Sequence, residues 1–240
     1  MRLALSCGLL CWAASLSCAS STPAPAAPAA EAAPAPAPAA ESAPASAGAA
    51  SCANPQLDDL EDGDNRGAMV DARGGYWYTF KDSLGTTLSP EGDFKPADGG
   101  AKSSAHAAHI SGKLAASGTV YVGMGFNLAD PQAPYDLSKA SGVCFDAKGK
   151  GPARVKLPDI DTAPEGHVCK SCYNDFGADF ELPADWKEQC FKFSELKQQP
   201  GWGEPHPALS TGKVFAVQWQ VAKAGADYDL WIDNVRLTCE

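Results

Sequence analysis

From Val120 to Leu128 every second residue is apolar. Val120, Val122, Met124, Phe126 and Leu128 alternate with Tyr121, Gly123, Gly125 and Asn127. A period of two puts successive side chains on opposite faces of a strand, so this run reads as a strand with one buried and one polar face. The pattern recurs down the chain. Val143, Phe145 and Ala147 alternate with Cys144, Asp146 and Lys148; Phe176, Ala178, Phe180 and Leu182 with Gly177, Asp179 and Glu181; Phe215, Val217, Trp219 and Val221 with Ala216, Gln218 and Gln220. Phe191 and Phe193 flank Lys192 in the same way. Leu230 and Ile232 precede Val235 and Leu237, and the parity changes at Asp233-Asn234, the mark of a β-bulge.

Turn signals separate the runs, among them Asp62-Gly63, Asp98-Gly99-Gly100, Lys148-Gly149-Lys150-Gly151 and Pro200-Gly201. Helical periodicity is weak, with single turns expected at Tyr135–Ala140 and Ser194–Gln198. Many half-polar strands without crossover helices specify an all-β fold, an antiparallel β-sandwich of the jelly-roll kind, over residues 52–240.

The residues ahead of this domain are different in kind. Arg2 is the only charge before Cys18, and a short apolar core leads to Ser15-Leu16-Ser17-Cys18. This reads as an export signal over 1–17 ending in a bacterial lipobox, with Cys18 acylated as the first mature residue. The expected location is the outer membrane, reached by a lipid anchor. Residues 18–51 hold the lipidated Cys18 and an Ala/Pro/Ser tract whose only charges are Glu31 and Glu41. Such a tract cannot offset its own ordering entropy and reads as a disordered tether, at roughly 3.1 Å per residue when extended.

An exported chain keeps disulfides. Cys7 and Cys11 leave with the signal and Cys18 carries the lipid, which leaves six of the nine cysteines in the domain and 15 formal pairings. Cys52 and Cys239 bracket the domain and fit a first-to-last-strand bridge. Cys144 and Cys190 share the polar parity of their strands and can face each other. Cys169-x-x-Cys172 then reads as a loop disulfide, with a metal half-site or redox pair as the alternatives.

The formal charge of −10 argues against a nucleic-acid partner. His106, His109, His167 and His206 are scattered, and no Gly-x-Ser-x-Gly elbow occurs, so the chain is read as a non-enzyme. The oxygen-rich stretch Leu57–Asn65 suits a structural calcium ion, with Glu61 and Asp233 as its ligands across the first and last strands. Ligand-binding candidates are aromatics on polar parity or in loops, with amides and a carboxylate beside them: Tyr121, Tyr173, Asp175, Trp202, Gln218 and Gln220. Ring stacking with amide and carboxylate hydrogen bonds is what a neutral polyhydroxylated ligand needs. The plainer alternative is that such Tyr and Trp residues cover sheet edges.

The blocks Leu57–Asp64, Gly75–Phe80, Gly142–Gly149, Trp186–Ser194 and Asp229–Val235, taken in order, resemble the galactose-binding-like jelly rolls. They are most similar to family 11 carbohydrate-binding modules, and the whole chain resembles exported myxobacterial-type lipoproteins. The resemblance implies two antiparallel sheets, one concave, often with structural calcium, and a groove for β-glucan chains. It places Tyr121 in the groove and Trp202 in a loop that carries a ligand aromatic. Gly201 stands where the family has a carboxylate, Gln198 and Gln199 where basic residues are common, and Val221 where a tyrosine is. The expectation is a surface-tethered, non-catalytic carbohydrate-binding lipoprotein. Its alternatives are an envelope-structural or protein-interaction module on the same fold, and a glycoside-active hydrolase.

Overall fold

The computed structural model describes residues 48–239. The expected export signal, the expected acylation at Cys18 and all but the last residues of the expected tether lie outside them. Eleven strands follow in order: β1 (Gln56–Asp58), β2 (Trp77–Lys81), β3 (Ala97–Asp98), β4 (His106–Lys113), β5 (Val122–Asn127), β6 (Gly142–Lys150), β7 (Pro152–Leu157), β8 (Phe176–Glu181), β9 (Lys187–Lys192), β10 (Ala216–Val221) and β11 (Asp227–Thr238). Among the described residues the helical elements are two 3-10 turns, Pro164–Gly166 and Phe193–Glu195. No helix there is long and apolar enough to cross a membrane.

Two antiparallel sheets form. One has the order β3-β4-β11-β6-β9 with β1 also paired to β11; the other has the order β2-β5-β10-β7-β8. Val122, Met124 and Phe126 of β5 and Val217, Trp219 and Val221 of β10 turn inward. They meet Val143, Phe145 and Ala147 of β6 and Leu230 and Ile232 of β11 in one core. Its centre is aromatic: Trp77 stacks between Phe94 and Trp219, with centroids 5.3 and 5.5 Å away, and Phe145 meets Trp219 edge-on at 5.3 Å. Burial of such rings dominates the energetics of a core this size.

The parity change in the last strand is a bulge. The β11–β6 register shifts between Asp233 and Arg236, and Asn234 takes a left-handed φ of 50°. Other local expectations are corrected. The oxygen-rich stretch from Leu57 is strand only as far as Asp58, whose carboxylate accepts from the Leu60 N–H at 2.9 Å as Leu60 turns left-handed. Tyr135–Ala140 forms no helical element; Tyr135 instead bridges Val214. The turn expected at Ser194–Gln198 forms three residues of 3-10 helix from Phe193.

The disulfides are Cys52–Cys239, Cys144–Cys190 and Cys169–Cys172. Cys144 and Cys190 are opposite each other in the β6–β9 register. The first of the three ties the entry of the chain to the end of β11.

Candidate functional site

The outer face of the five-stranded sheet carries the most unusual chemistry. Its register lines up two rows across the sheet. One runs Tyr78, Gly125, Gln218, Lys156, Gly177; the next runs Phe80, Gly123, Gln220, Arg154, Asp179. Glycine at the second place in each row lets the neighbouring ring lean inward over β5. A Cβ on Gly125 would meet Tyr78 Cζ and Oη at 2.7 Å, and one on Gly123 would meet Phe80 Cζ at 2.5 Å.

A line of rings results along the β2 side. Tyr76 and Tyr78 have centroids 6.3 Å apart, Tyr78 and Phe80 6.2 Å, and Phe80 and Tyr121 6.4 Å. Gln218 Nε2 donates to Tyr78 Oη at 2.6 Å. Burial raises the Tyr78 phenol above its ordinary pKa, so it stays a neutral hydroxyl.

The far half of the face is ionic and internally paired. Lys156 Nζ lies 2.9 Å from Asp175 Oδ2, with side chains only 10% and 2% exposed. Arg154 Nη1 lies 3.0 Å from Asp179 Oδ1, while its Nη2 donates to the Lys197 carbonyl. Lys156 Nζ also sits 5.8 Å from the Phe80 centroid, on the ring face that favours a cation. The sheet therefore presents rings on one side, amides in the middle and neutralised charges on the other.

Two loops flank the β8 edge. Gly177 and Lys197 exchange backbone hydrogen bonds of 3.0 and 2.9 Å, which lays the segment after Leu196 beside β8. Asn174 Nδ2 donates to the carbonyls of Gln199 and Trp202 at 2.8 and 2.7 Å. Gln198 Nε2 donates to those of Asn174 and Glu204 at 2.8 and 2.9 Å. These bonds fix the loops while leaving Tyr173 63% and Trp202 48% exposed.

The sequence candidates are thus only partly together. Gln218 and Gln220 lie centrally on the face. Tyr121, 38% exposed, stands just before β5 beside Phe80, at the opposite corner of the sheet from Trp202 and Tyr173. Asp175 is not the free loop carboxylate expected, because its pair with Lys156 holds it below the surface; its Oδ1 has no hydrogen-bond partner among the described residues. Sequence reasoning missed Tyr76, Tyr78 and Phe80 as site residues, and Arg154 and Lys156 altogether. The alternation Ala153, Val155, Leu157 against Arg154 and Lys156 was the available signal for β7.

The other sheet's outer face also has half-buried aromatics, packed against one another and against a cation. His109 stacks on Trp231 at 3.7 Å, and Lys148 Nζ sits 4.4 Å from Trp231 and 4.7 Å from Trp186.

The expected calcium ligands face donors rather than a cation. Glu61 Oε1 accepts from Ser104 Oγ at 2.7 Å and from the Ala105 and His106 N–H groups at 2.9 Å each. These bonds, that from His106 foremost, lower the Glu61 pKa. Asp233 Oδ2 accepts from the Ala101 N–H and Oδ1 from the Asn234 N–H, both at 2.7 Å. Calcium takes 6–8 oxygen ligands, and N–H groups present their positive ends to the same lone pairs. The donor set does not fit the ion. Among the described residues no group of three or more His, Cys, Asp or Glu side chains is arranged to hold a metal.

No protein-family model matches the chain, and no curated protein matches it. Solved structures do. The family 11 carbohydrate-binding module of cellulosomal cellulase Lic26A-Cel5E of Clostridium thermocellum is similar at a TM-score of 0.55 and 16% identity, over 77% of this chain and 94% of that one. A family 11 module from Clostridium thermocellum in complex with a β-1,3-1,4-mixed-linked tetrasaccharide gives 0.53 and 16%, over 77% and 95%. A family 30 carbohydrate-binding module gives 0.51 and 10%, over 68% and 92%. With its strand content, two-sheet topology and these likenesses, the domain has the jelly-roll fold of the family 11 and family 30 carbohydrate-binding modules.

Proposed function

We propose that this chain is a non-catalytic carbohydrate-binding protein, exported and held at the outer membrane through acylated Cys18. Its ligand is a neutral polysaccharide lying on the outer face of the five-stranded sheet. The carrying observation is the line of four rings, Tyr76, Tyr78, Phe80 and Tyr121, set 6.2–6.4 Å apart beside Gln218 and Gln220. Sugar rings offer flat C–H faces that stack on aromatic π-systems, and their hydroxyls use amide donors and acceptors. The charges on the face are already paired with each other, which favours an uncharged ligand. Tyr173 and Trp202 supply a second aromatic contact at the β8 edge.

A module of the same fold was solved with a β-1,3-1,4-mixed-linked tetrasaccharide, so a mixed-linkage β-glucan is the first polymer to test. The test is calorimetric titration of the mature chain with soluble β-glucan, xylan, mannan and galactan. Binding to one of them is expected, insensitive to salt because a neutral ligand has no Coulomb attraction to screen. Tyr78→Ala and Trp202→Ala are each expected to weaken it by about 1–3 kcal/mol with the fold intact. Absence of binding to all four polymers overturns the reading in favour of a protein-interaction module.

A further inference from the structure

Three carboxylates from separate parts of the chain converge on one short loop. Glu61 comes from the turn after β1, Asp146 from β6 and Asp233 from β11, where Asp146 and Asp233 are register partners. All three face residues 101–106 or the adjoining bulge. Ala101, Ala105 and His106 give backbone N–H groups, Ser104 gives a hydroxyl, and Asn234 gives both its N–H and its side-chain amide. Lys102 completes the set: its Nζ lies 3.0 Å from Asp146 Oδ2 and 3.7 Å from Glu188 Oε1. Glu188 is held in turn by Arg236 Nη2 at 2.6 Å. Asp146 and Asp233 are buried, so a cation or hydrogen-bond donors must meet their charge.

The backbone of Lys102 supports a specific role for its ammonium. Its φ of 56° lies in the left-handed region, which lysine rarely enters and glycine enters freely. Asn234, at φ 50°, is the second left-handed residue of the cluster, and it too reaches Asp146, at 3.1 Å. Two conformations that L side chains disfavour are thus occupied by residues whose side-chain donors end on one buried carboxylate. The cluster opens on a polar cleft of about 470 Å³, lined by Gln56, Asp59, Glu61, Lys102, Glu188 and Arg236.

We propose that residues 101–106, with the Lys102 ammonium at their centre, do for these acidic side chains what a structural divalent cation would do, so that the domain folds and remains folded without one. Lys102, its side chain 63% exposed, is a counter-ion reaching in from the surface to the buried Asp146, and the N–H groups around it form the fixed positive lining that coordination would otherwise replace. This holds independently of what the five-stranded face binds.

The test uses the purified mature chain and three variants, followed by thermal unfolding in EDTA and in millimolar CaCl2. The native melting temperature is expected to be the same in both. K102M keeps the side-chain bulk and the backbone strain but removes the charge, and is expected to melt about 3–10 °C lower. K102R keeps the charge and is expected to stay close to the native value. K102G relieves the left-handed strain yet is also expected to melt lower than native. A native protein stabilised by CaCl2 or destabilised by EDTA overturns the proposal. So does a K102R that falls as far as K102M, or a K102G that melts at or above native. If K102M does not fold, the native comparison and the K102R–K102G pair still decide.

Discussion

Gly125 and Gly123 stand two residues apart on one strand, and adding a methyl group to each should separate ligand binding from folding. At Gly125 the new Cβ would meet Tyr78 Cζ and Oη at 2.7 Å and Gln218 Cγ at 2.9 Å. All three atoms belong to side chains that can swing away. The displaced phenol would lose its 2.6 Å bond from Gln218 Nε2, a net loss of about 0.5–1.5 kcal/mol. Removing a glycine from a strand returns about 0.5–1 kcal/mol, so the fold of Gly125→Ala should be nearly unchanged. At Gly123 the Cβ would instead overlap the Trp219 carbonyl oxygen, a backbone atom of the central strand β10. That neighbour cannot move alone, and overpacking of this kind costs about 1–3 kcal/mol. Gly125→Ala should therefore melt within about 2 °C of native yet bind β-glucan several-fold to a hundred-fold more weakly, through loss of one ring from the line. Gly123→Ala should melt several degrees lower. Calorimetric titration and thermal melts on the same samples read both quantities. A Gly125→Ala protein that binds as tightly as native would refute the view that Tyr78 is a contact. Equal melting of the two variants would refute the distinction between movable and fixed neighbours.

Three further outcomes follow from the same structure. Burial raises Asp58 to about 6 and also raises Asp159 and Asp233, so the folded state binds extra protons. For Asp58, stability should then rise as pH falls from about 6 towards 3.8, by at most about 3 kcal/mol; Glu61 and Asp71, lowered chiefly by bonds from His106 and Ser51, work against it only at lower pH. Urea unfolding at about pH 7.5 and about pH 5 should show higher stability at the acid end, and a steady decline would contradict the burial argument. Lys156→Met leaves the buried Asp175 without its ion-pair partner and should destabilise the chain by about 3 kcal/mol, read as a fall in denaturant midpoint. Cys18→Ala should release the protein from the membrane fraction on expression in a Gram-negative host; unchanged fractionation, or an unmodified N-terminus by intact mass, would contradict acylation.

The strands that build the core were legible because their chemistry is local. Val122, Met124 and Phe126, or Val217, Trp219 and Val221, announce a buried face within six residues, and the parity change at Asp233-Asn234 marks the bulge directly. Cysteine pairing was accessible for the same reason, since Cys144 and Cys190 share a parity and the other two pairs bracket a domain and a short loop. The site was less legible. β2 and the residue before it carry aromatics on both faces, Trp77 inward and Tyr76, Tyr78 and Phe80 outward, so no alternation of polarity distinguishes the two sides. The row that brings Tyr78, Gly125, Gln218 and Lys156 together spans well over a hundred residues of chain, and only the sheet order creates it. Glu61 and Asp233 show the same limit. Sequence lists the oxygens; whether a metal or the N–H groups of residues 101–106 meet them depends on a loop conformation set by tertiary contacts.

The Cys52–Cys239 bridge also determines how the domain responds to force. Residues 52–239 form one covalent loop, closed where the chain enters. A pull on the segment ahead of Cys52, resisted by a polymer held on the five-stranded sheet, divides between two arms. One arm runs forward through β1 and the other backward through β11, a twelve-residue strand hydrogen-bonded along both edges. Peeling the three-residue β1 then releases little length, because its far end is fastened to the most extensively paired strand of the sandwich. Reduction of this one bond would convert a two-armed hold into a single thread that unravels from its weakest strand.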